Sequence, residues 1–231
     1  MTLSSNAHAP IGIFGGTFDP IHNGHLRLAQ EIAESARLSE VRFIPGGTPP
    51  HRAAPQVTSS QRLEMTRLAV AGNPLFTVDD REVRRNGPGY MVDTLSELRQ
   101  ELGDARSLCL MLGADAFLEL ATWSRWQTLF VLAHIIVAHR PGFPPESWPQ
   151  RMPQPLLREY QARLMRTPMA AHLSAAGGIS TIAIAALDIS ASMIRESLAR
   201  DVSPRYLLPD AVLEYIQDQH LYHTQEANES R

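Results

Sequence analysis

Cysteine is almost missing from this chain. Cys109 is the only one in 231 residues, so no intramolecular disulfide can form. It lies in the apolar run Leu108–Leu112, where a thiol serves as a small buried hydrophobe. Long hydrophobic runs are also missing: none approaches the roughly 20 residues that cross a bilayer. Met1–Pro10 is small and polar, without the charged and then apolar halves of a secretory leader. These absences lead us to expect a cytoplasmic protein. An excess of positive charge is lacking as well. The formal net charge is -3 and the basic residues are dispersed, which argues against a contiguous footprint for nucleic acid and leaves anion binding as a property of a pocket. No internal repeat or low-complexity tract occurs. What is present, 44% hydrophobic and 19% charged residues, suffices for one large domain around a real core.

Short β-type apolar runs alternate with stretches of helical periodicity, the pattern of an α/β fold with a parallel sheet covered by helices on both faces. Strands are expected at Ile11–Phe14, Val41–Ile44, Phe76–Val78, Leu108–Leu112, Ile135–Ala138 and Thr181–Ala185. Helices are expected at Gly24–Ala36, Ser60–Val70, Val92–Leu102, Gln127–Leu132, Ser192–Ala199 and Pro209–Gln219. The stretch RPGFPPESWPQRMPQP is too rich in proline for regular structure and opens a connection reaching about Gly178, read as an insertion or ordered loop over 143–178. One domain over 10–222 is expected, with flexible ends at 1–9 and 223–231.

The stretch GGTFDPIHNGH, Gly15 to His25, concentrates poorly buried groups between the first strand and the first helix. Open α/β sheets place ligands at that position. Gly15 and Gly16 let backbone approach a ligand, and the helix N-terminus beyond offers unpaired N–H groups to an anion. The stretch is neither G-x-G-x-x-G nor a P-loop ending in G-K-[ST]. Its H-x-G-H pattern brings His22 and His25 to one point at the helix start, where two imidazoles can donate to oxygens that gain charge during phosphoryl transfer. Two histidines could also ligate zinc, but no cysteine or third histidine stands nearby. Asp19-Pro20 could be only a turn. Near the other end, ISASMIR at Ile189–Arg195 lets Ser190 and Ser192 cap a helix whose free N–H groups hold phosphates, with Arg195 adding a fixed cation.

Together, GGTFDPIHNGH and ISASMIR resemble the paired signature of the nucleotidyltransferase superfamily. Further stretches are similar to the bacterial nicotinate mononucleotide adenylyltransferases: PGGTPPHR at Pro45–Arg52, RRNGPGYMVDTLSELR at Arg84–Arg99, LGADAFLELATWSRW at Leu112–Trp126, VAHRPG at Val137–Gly142 and YLLPDAVLEYIQDQHLY at Tyr206–Tyr222. The likeness spans nearly the whole chain in order. It implies a Rossmann-like fold and the reaction of nicotinate mononucleotide with ATP to give nicotinate adenine dinucleotide and pyrophosphate, a step of NAD biosynthesis. By that resemblance His22, His25 and Arg195 are catalytic. Gly15, Gly16, Thr17, Phe18, Gly113, Asp115, Ser190, Ser192 and Ile194 bind ATP or its phosphates, with Asp115 bonding a ribose hydroxyl or lying near phosphate and Mg²⁺. Mg²⁺ rides on the triphosphate, held mainly by phosphate oxygens and water.

The resemblance also implies a mononucleotide site. Trp123 stacks on the pyridine ring, while backbone N–H groups around Tyr90–Thr94 and Ser124, with the Thr94 hydroxyl, receive the carboxylate. Arg140 contacts phosphate or makes a salt bridge at a strand end, and His51 and Arg52 close over substrate or are solvated. Trp126 reads as core. Asp19 acts through a loop hydrogen bond or outer-shell water, or forms a turn. A monomer or small homo-oligomer is expected. The second signature has SASMIR where a threonine would follow the second small residue, which keeps a hydroxyl. A phosphopantetheine adenylyltransferase would share H-x-G-H but have no use for the pyridine region. A cytidylyltransferase would carry R-T-x-G-[IV]-S-T, which is absent, and a sensor without turnover would show a lesion in the histidines, serines or arginine, and none is seen.

Overall fold

Strands covered on both faces are nearly continuous apolar runs, and the six apolar runs of this chain become six parallel strands. The computed structural model describes residues 9–47, 54–85, 87–185 and 187–222. In chain order these hold β1 (Ile11–Gly16), α1 (Asn23–Ala36), β2 (Glu40–Pro45), α2 (Ser59–Val70) and β3 (Phe76–Val78). The short α3 (Arg81–Arg84) then leads to α4 (Met91–Leu102), β4 (Leu108–Gly113), α5 (Ala114–Leu118), α6 (Leu129–Leu132) and β5 (His134–His139). The chain continues through α7 (Gln154–Arg163), β6 (Ile179–Ala183), α8 (Ala191–Ala199) and α9 (Asp210–Asp218). The expected flexible ends, 1–9 and 223–231, lie outside the described residues except for Ala9.

The sheet runs β3-β2-β1-β4-β5-β6, parallel throughout, and its two faces carry separate cores. Alternation along β1 divides them: Phe14 packs with Phe43, Ala29, Ile32 and Val212 on one side, Ile11 and Ile13 with Leu95, Leu110 and Phe130 on the other. Cys109 is buried without a disulfide, and burial pushes its thiol up to about 12. Trp126 is core, as read. Among the described residues no helix is long and apolar enough to cross a membrane.

Three expectations are corrected. The helix read at Gln127–Leu132 is a 3-10 turn, Trp126–Thr128, running into the four-residue α6. The last strand begins at Ile179 rather than Thr181, because β5 extends its partner back to the pair Ile135–Ile179 and Met165 donates to the Ile179 carbonyl at 2.6 Å. The proline-rich connection contains α7: Pro153 and Pro155 sit at its start, where a missing N–H costs nothing.

That connection is anchored by Trp148, which is fully buried, donates from Nε1 to the Phe143 carbonyl at 3.2 Å, and packs against Phe117 and Tyr160. Trp148→Ala is expected to lower unfolding free energy by about 3–5 kcal/mol, measured by urea denaturation. A loss below about 1 kcal/mol would mean that the connection does not share the core.

Candidate active site

The strand order reverses between β1 and β4, and there the sheet comes apart. Registered pairs between the two strands run from Ile11–Leu108 to Ile13–Leu110 and stop, although β1 continues to Gly16 and β4 to Gly113. Beyond that point the two strands share no registered pair, and the place where a crevice opens in such sheets is flanked by Gly15 and Gly16 at the end of one strand and Gly113 at the end of the other. Switch points of this kind hold ligands in open α/β sheets.

The loop leaving β1 is shaped by close contacts. A Cβ on Gly16 would lie 2.5 Å from the Phe18 ring, which folds back beneath it with a left-handed backbone (φ 50°). Phe18 is 2% exposed: its ring meets His25 edge-on, centroids 5.1 Å apart, and props it from below, which leaves its backbone as the part turned to a ligand in this loop. His22 is the N-cap residue of α1, and its ring stacks on His25 at 3.7 Å between centroids. Gly24 makes room for this, because a Cβ there would come within 3.0 Å of His22 Nδ1.

The His22 backbone N–H donates to His25 Nδ1 at 3.3 Å, which makes that nitrogen an acceptor and leaves the ring proton on Nε2. Burial lowers the His22 pKa to about 4, and burial together with the neighbouring His22 lowers that of His25 well below 6.5. Two neutral N–H donors therefore stand at the start of α1. His22 Nδ1 is buried without a hydrogen-bond partner.

The distant signature meets this loop. Ser190 caps α8, its Oγ accepting the Met193 N–H at 3.2 Å. Arg195 Nη2 donates to Ser192 Oγ at 3.3 Å and Nη1 to the Asp19 carbonyl at 2.6 Å. Ser190 and Ser192 are exposed. Ile194 is fully buried and its N–H donates to the Ser190 carbonyl at 3.2 Å, so that its side chain anchors the helix that carries the other three. Asp19, 6% exposed, is more than a turn: Oδ1 accepts the Tyr222 hydroxyl at 2.7 Å and Oδ2 the Gln56 N–H at 3.0 Å.

Toward the acceptor side, Tyr90 is the N-cap residue of α4, and Trp123 and Ser124 are partly buried in the loop after α5, Trp123 packing against the second core. Thr94 is fully buried. Its hydroxyl donates to Glu82 Oε1 at 2.6 Å and accepts from Arg85 at 3.3 Å. A hydroxyl has one proton to give, and here it goes to Glu82, so that Thr94 fastens α4 to α3. Burial pushes the Glu82 carboxyl up, partly offset by the Thr94 bond. Arg140 makes the alternative salt bridge, Nη1 to Asp188 Oδ1 at 3.0 Å, at an exposed strand end. Asp115 is exposed in the first turn of α5, beyond Gly113. His51 and Arg52 lie outside the described residues.

Three residues escaped the sequence reading. Arg62 is buried on α2 and donates to the Thr17 carbonyl at 2.6 Å and the Gly47 carbonyl at 2.7 Å, joining the loops after β1 and β2. The signal available was an arginine sharing a helix face with Met65 and Thr66. Glu82 and Tyr222 gave none, since their partners are remote. Thr17 thus offers its carbonyl to Arg62. Among the described residues no group of three or more His, Cys, Asp or Glu side chains could hold a metal ion.

A family model described as cytidylyltransferase-like matches residues 13–197. A protein of Dechloromonas aromatica described as "Probable nicotinate-nucleotide adenylyltransferase" is 54% identical over 213 residues, covering 92% of this chain and 97% of its own. One of Halorhodospira halophila with the same description is 52% identical over 202 residues, covering 87% and 90%. The solved nicotinic acid mononucleotide adenylyltransferase of Plasmodium falciparum, complexed with NaAD, shares the fold with a TM-score of 0.69 at 19% identity, covering 93% of this chain and 98% of its own.

The lowered histidine pKa values fix a pH dependence. Below the unfolded value of 6.5 the unfolded chain takes up protons that the folded chain refuses, His22 until about pH 4, so stability is full above 6.5 and lost as pH falls below it. Each ring contributes up to about 1.4 kcal/mol per pH unit. Urea midpoints are expected to fall between pH 7 and pH 5, with a shallower slope in His22→Gln. An unchanged slope in that variant would mean that His22 titrates normally.

Proposed function

Because the chain belongs to the nicotinate-nucleotide adenylyltransferases within the cytidylyltransferase-like family, we propose that it transfers the adenylyl group of ATP to nicotinate mononucleotide, yielding nicotinate adenine dinucleotide and pyrophosphate for NAD biosynthesis. The observation that carries the reading is the junction of the two phosphate-type segments: Arg195 reaches across 176 positions of sequence to the loop that presents His22 and His25.

The mononucleotide 5′-phosphate attacks the ATP α-phosphorus in line with the departing pyrophosphate. An oxygen–phosphorus bond forms as the bond to the β-phosphate bridge breaks, and the electron pair leaves on pyrophosphate. Such transfer needs positioning and charge stabilisation, with no covalent enzyme intermediate. His22 and His25 donate N–H bonds to the α-phosphoryl oxygens as charge builds. Neutral rings suit this, since their donors are already aimed before charge develops. Ser190, Ser192 and the first turn of α8 hold the β- and γ-phosphates, and Arg195 supplies the fixed cation. Gly15, Gly16, Thr17 and Gly113 form the crevice walls through their backbone.

Mg²⁺ bound with ATP would offset triphosphate charge. Both Asp19 oxygens are committed to protein donors, so the exposed Asp115 is the carboxylate offered toward that ion's water or the ribose. At the acceptor end, Trp123 stacks on the pyridine ring, and backbone N–H groups at the start of α4 and at Ser124 receive its carboxylate. Arg140 takes the mononucleotide phosphate by exchanging its exposed pairing with Asp188, which is worth little in water. His51, in the stretch PGGTPPHR, is assigned to the mononucleotide.

Pyrophosphate release with ATP and Mg²⁺ tests the reading. The kcat/KM is expected to be about tenfold or more higher with nicotinate mononucleotide than with nicotinamide mononucleotide, a gap of ~1.4 kcal/mol. Equal rates would remove the carboxylate contacts but keep the reaction, activity only with phosphopantetheine would overturn the acceptor, and no turnover would favour a sensor. His22→Ala is expected to lower kcat by about 10²-fold or more with little change in mononucleotide KM, because its bond strengthens in the transition state. Trp123→Ala is expected to raise the mononucleotide KM by about tenfold, read from initial rates, and an unchanged KM would reject the stack.

A further inference from the structure

The carboxylate of Asp19 is buried beside a guanidinium that the proposed reaction needs elsewhere. Arg195 Nη1 lies 4.0 Å from Asp19 Oδ2, yet its short bond, 2.6 Å, goes to the Asp19 backbone carbonyl. The carboxylate is satisfied by other donors: the Tyr222 hydroxyl at 2.7 Å on Oδ1 and the Gln56 N–H at 3.0 Å on Oδ2. Arg62, the other cation whose charge Asp19 feels, has its terminal nitrogens on the carbonyls of Thr17 and Gly47.

The chain goes to some length to deliver that hydroxyl. After α9, which packs on α2 through Val212, Leu213 and Ile216, Leu221 is buried and Tyr222 turns inward with a left-handed backbone, φ 65°. Such a backbone is unusual for a bulky aromatic residue, costs on the order of 1 kcal/mol, and persists only where surrounding contacts over-determine it. Burial and the bond to Asp19 both push the phenol pKa up, so it remains a donor at working pH.

We propose that Tyr222 is a positioning residue for adenylyl transfer: by occupying Asp19 Oδ1 it keeps the Arg195 guanidinium off the carboxylate and directed at the polyphosphate. Without the hydroxyl, Oδ1 would be a buried anionic oxygen lacking a partner, and such a group draws the nearest mobile cation. Arg195 is that cation. It already lies 4.0 Å from Oδ2 of the same carboxylate, and it would turn to the vacated Oδ1 and withdraw from Ser192 and the phosphates.

This inference rests on the reading of Arg195 as a phosphate ligand, and the experiment separates the two. Initial rates at varied ATP are measured for the wild type, Tyr222→Phe, Arg195→Ala, the double variant Tyr222→Phe/Arg195→Ala, and Asp19→Asn/Tyr222→Phe. Tyr222→Phe is expected to lower kcat/KM for ATP by about tenfold with the mononucleotide KM unchanged. It is expected to add nothing in the Arg195→Ala background, and to be relieved by Asp19→Asn, whose amide carries no charge to attract the guanidinium. Product inhibition by pyrophosphate should weaken in Tyr222→Phe and in Arg195→Ala, and return in Asp19→Asn/Tyr222→Phe.

Wild-type ATP kinetics in Tyr222→Phe, or an equal loss with and without Arg195, would overturn the inference. Wild-type kinetics in Arg195→Ala would overturn the phosphate reading itself, and this inference with it. Should Tyr222→Phe fold poorly, the Asp19→Asn/Tyr222→Phe chain carries the decision: low kcat/KM for ATP in a folded double variant contradicts the proposal.

Discussion

A carboxylate taken out of water must be paired, and the carboxyl edge of this protein is arranged around the pairing of Asp19. Its side chain gathers the hydroxyl of Tyr222 from the far end of the described chain and the Gln56 N–H from the loop before α2. Its carbonyl holds Arg195 on α8. Three segments remote in sequence are thereby set around one turn. That turn begins α1, whose first residues are in turn held by the C-terminal part, since the Asn23 N–H donates to the Leu207 carbonyl at 2.9 Å and its side chain to the Tyr206 carbonyl at 2.9 Å. The crevice between β1 and β4 would open in any sheet of this order, but its lining is specific to these bonds.

The cations follow a consistent division. All 21 basic side chains are arginine, since the chain contains no lysine, and the charges at the crevice are accordingly fixed ones with planar donors. Arg62 spends its donors on carbonyls and acts as a strut between loops, whereas Arg195 keeps part of its guanidinium toward the exposed serines of α8. The histidines add donors without adding charge. A site built this way is electrostatically favourable to a polyphosphate yet is not a concentrated positive patch, which agrees with a net charge of -3 over the whole chain.

Much of this was legible from local pattern. The six strands announced themselves because burial on both faces demands uninterrupted apolar runs, and H-x-G-H and ISASMIR because glycine, histidine and serine at strand-to-helix turns have few structural uses in such density. What escaped was long-range or routed through backbone. Nothing near Tyr222 indicates a partner 203 positions away, and nothing near Arg62 indicates two carbonyl acceptors. Thr94 has a residue type that fits a substrate contact, and its pattern gives no sign that a buried glutamate on α3 takes its proton. Ile194 and Phe18 belong to signature stretches and serve them from beneath, as packing. α7 was obscured because prolines read as breakers also begin helices.

The central claim is that two segments some 170 positions apart form one polyphosphate site at the β1–β4 divergence. The most direct measurement is a crystal structure with a non-hydrolysable ATP analogue and Mg²⁺. The expected result is the α-phosphate within hydrogen-bond reach of the His22 and His25 rings and the terminal phosphates at the first turn of α8 beside Arg195. A triphosphate bound away from either segment, with Arg195 still turned to Asp19, would contradict it.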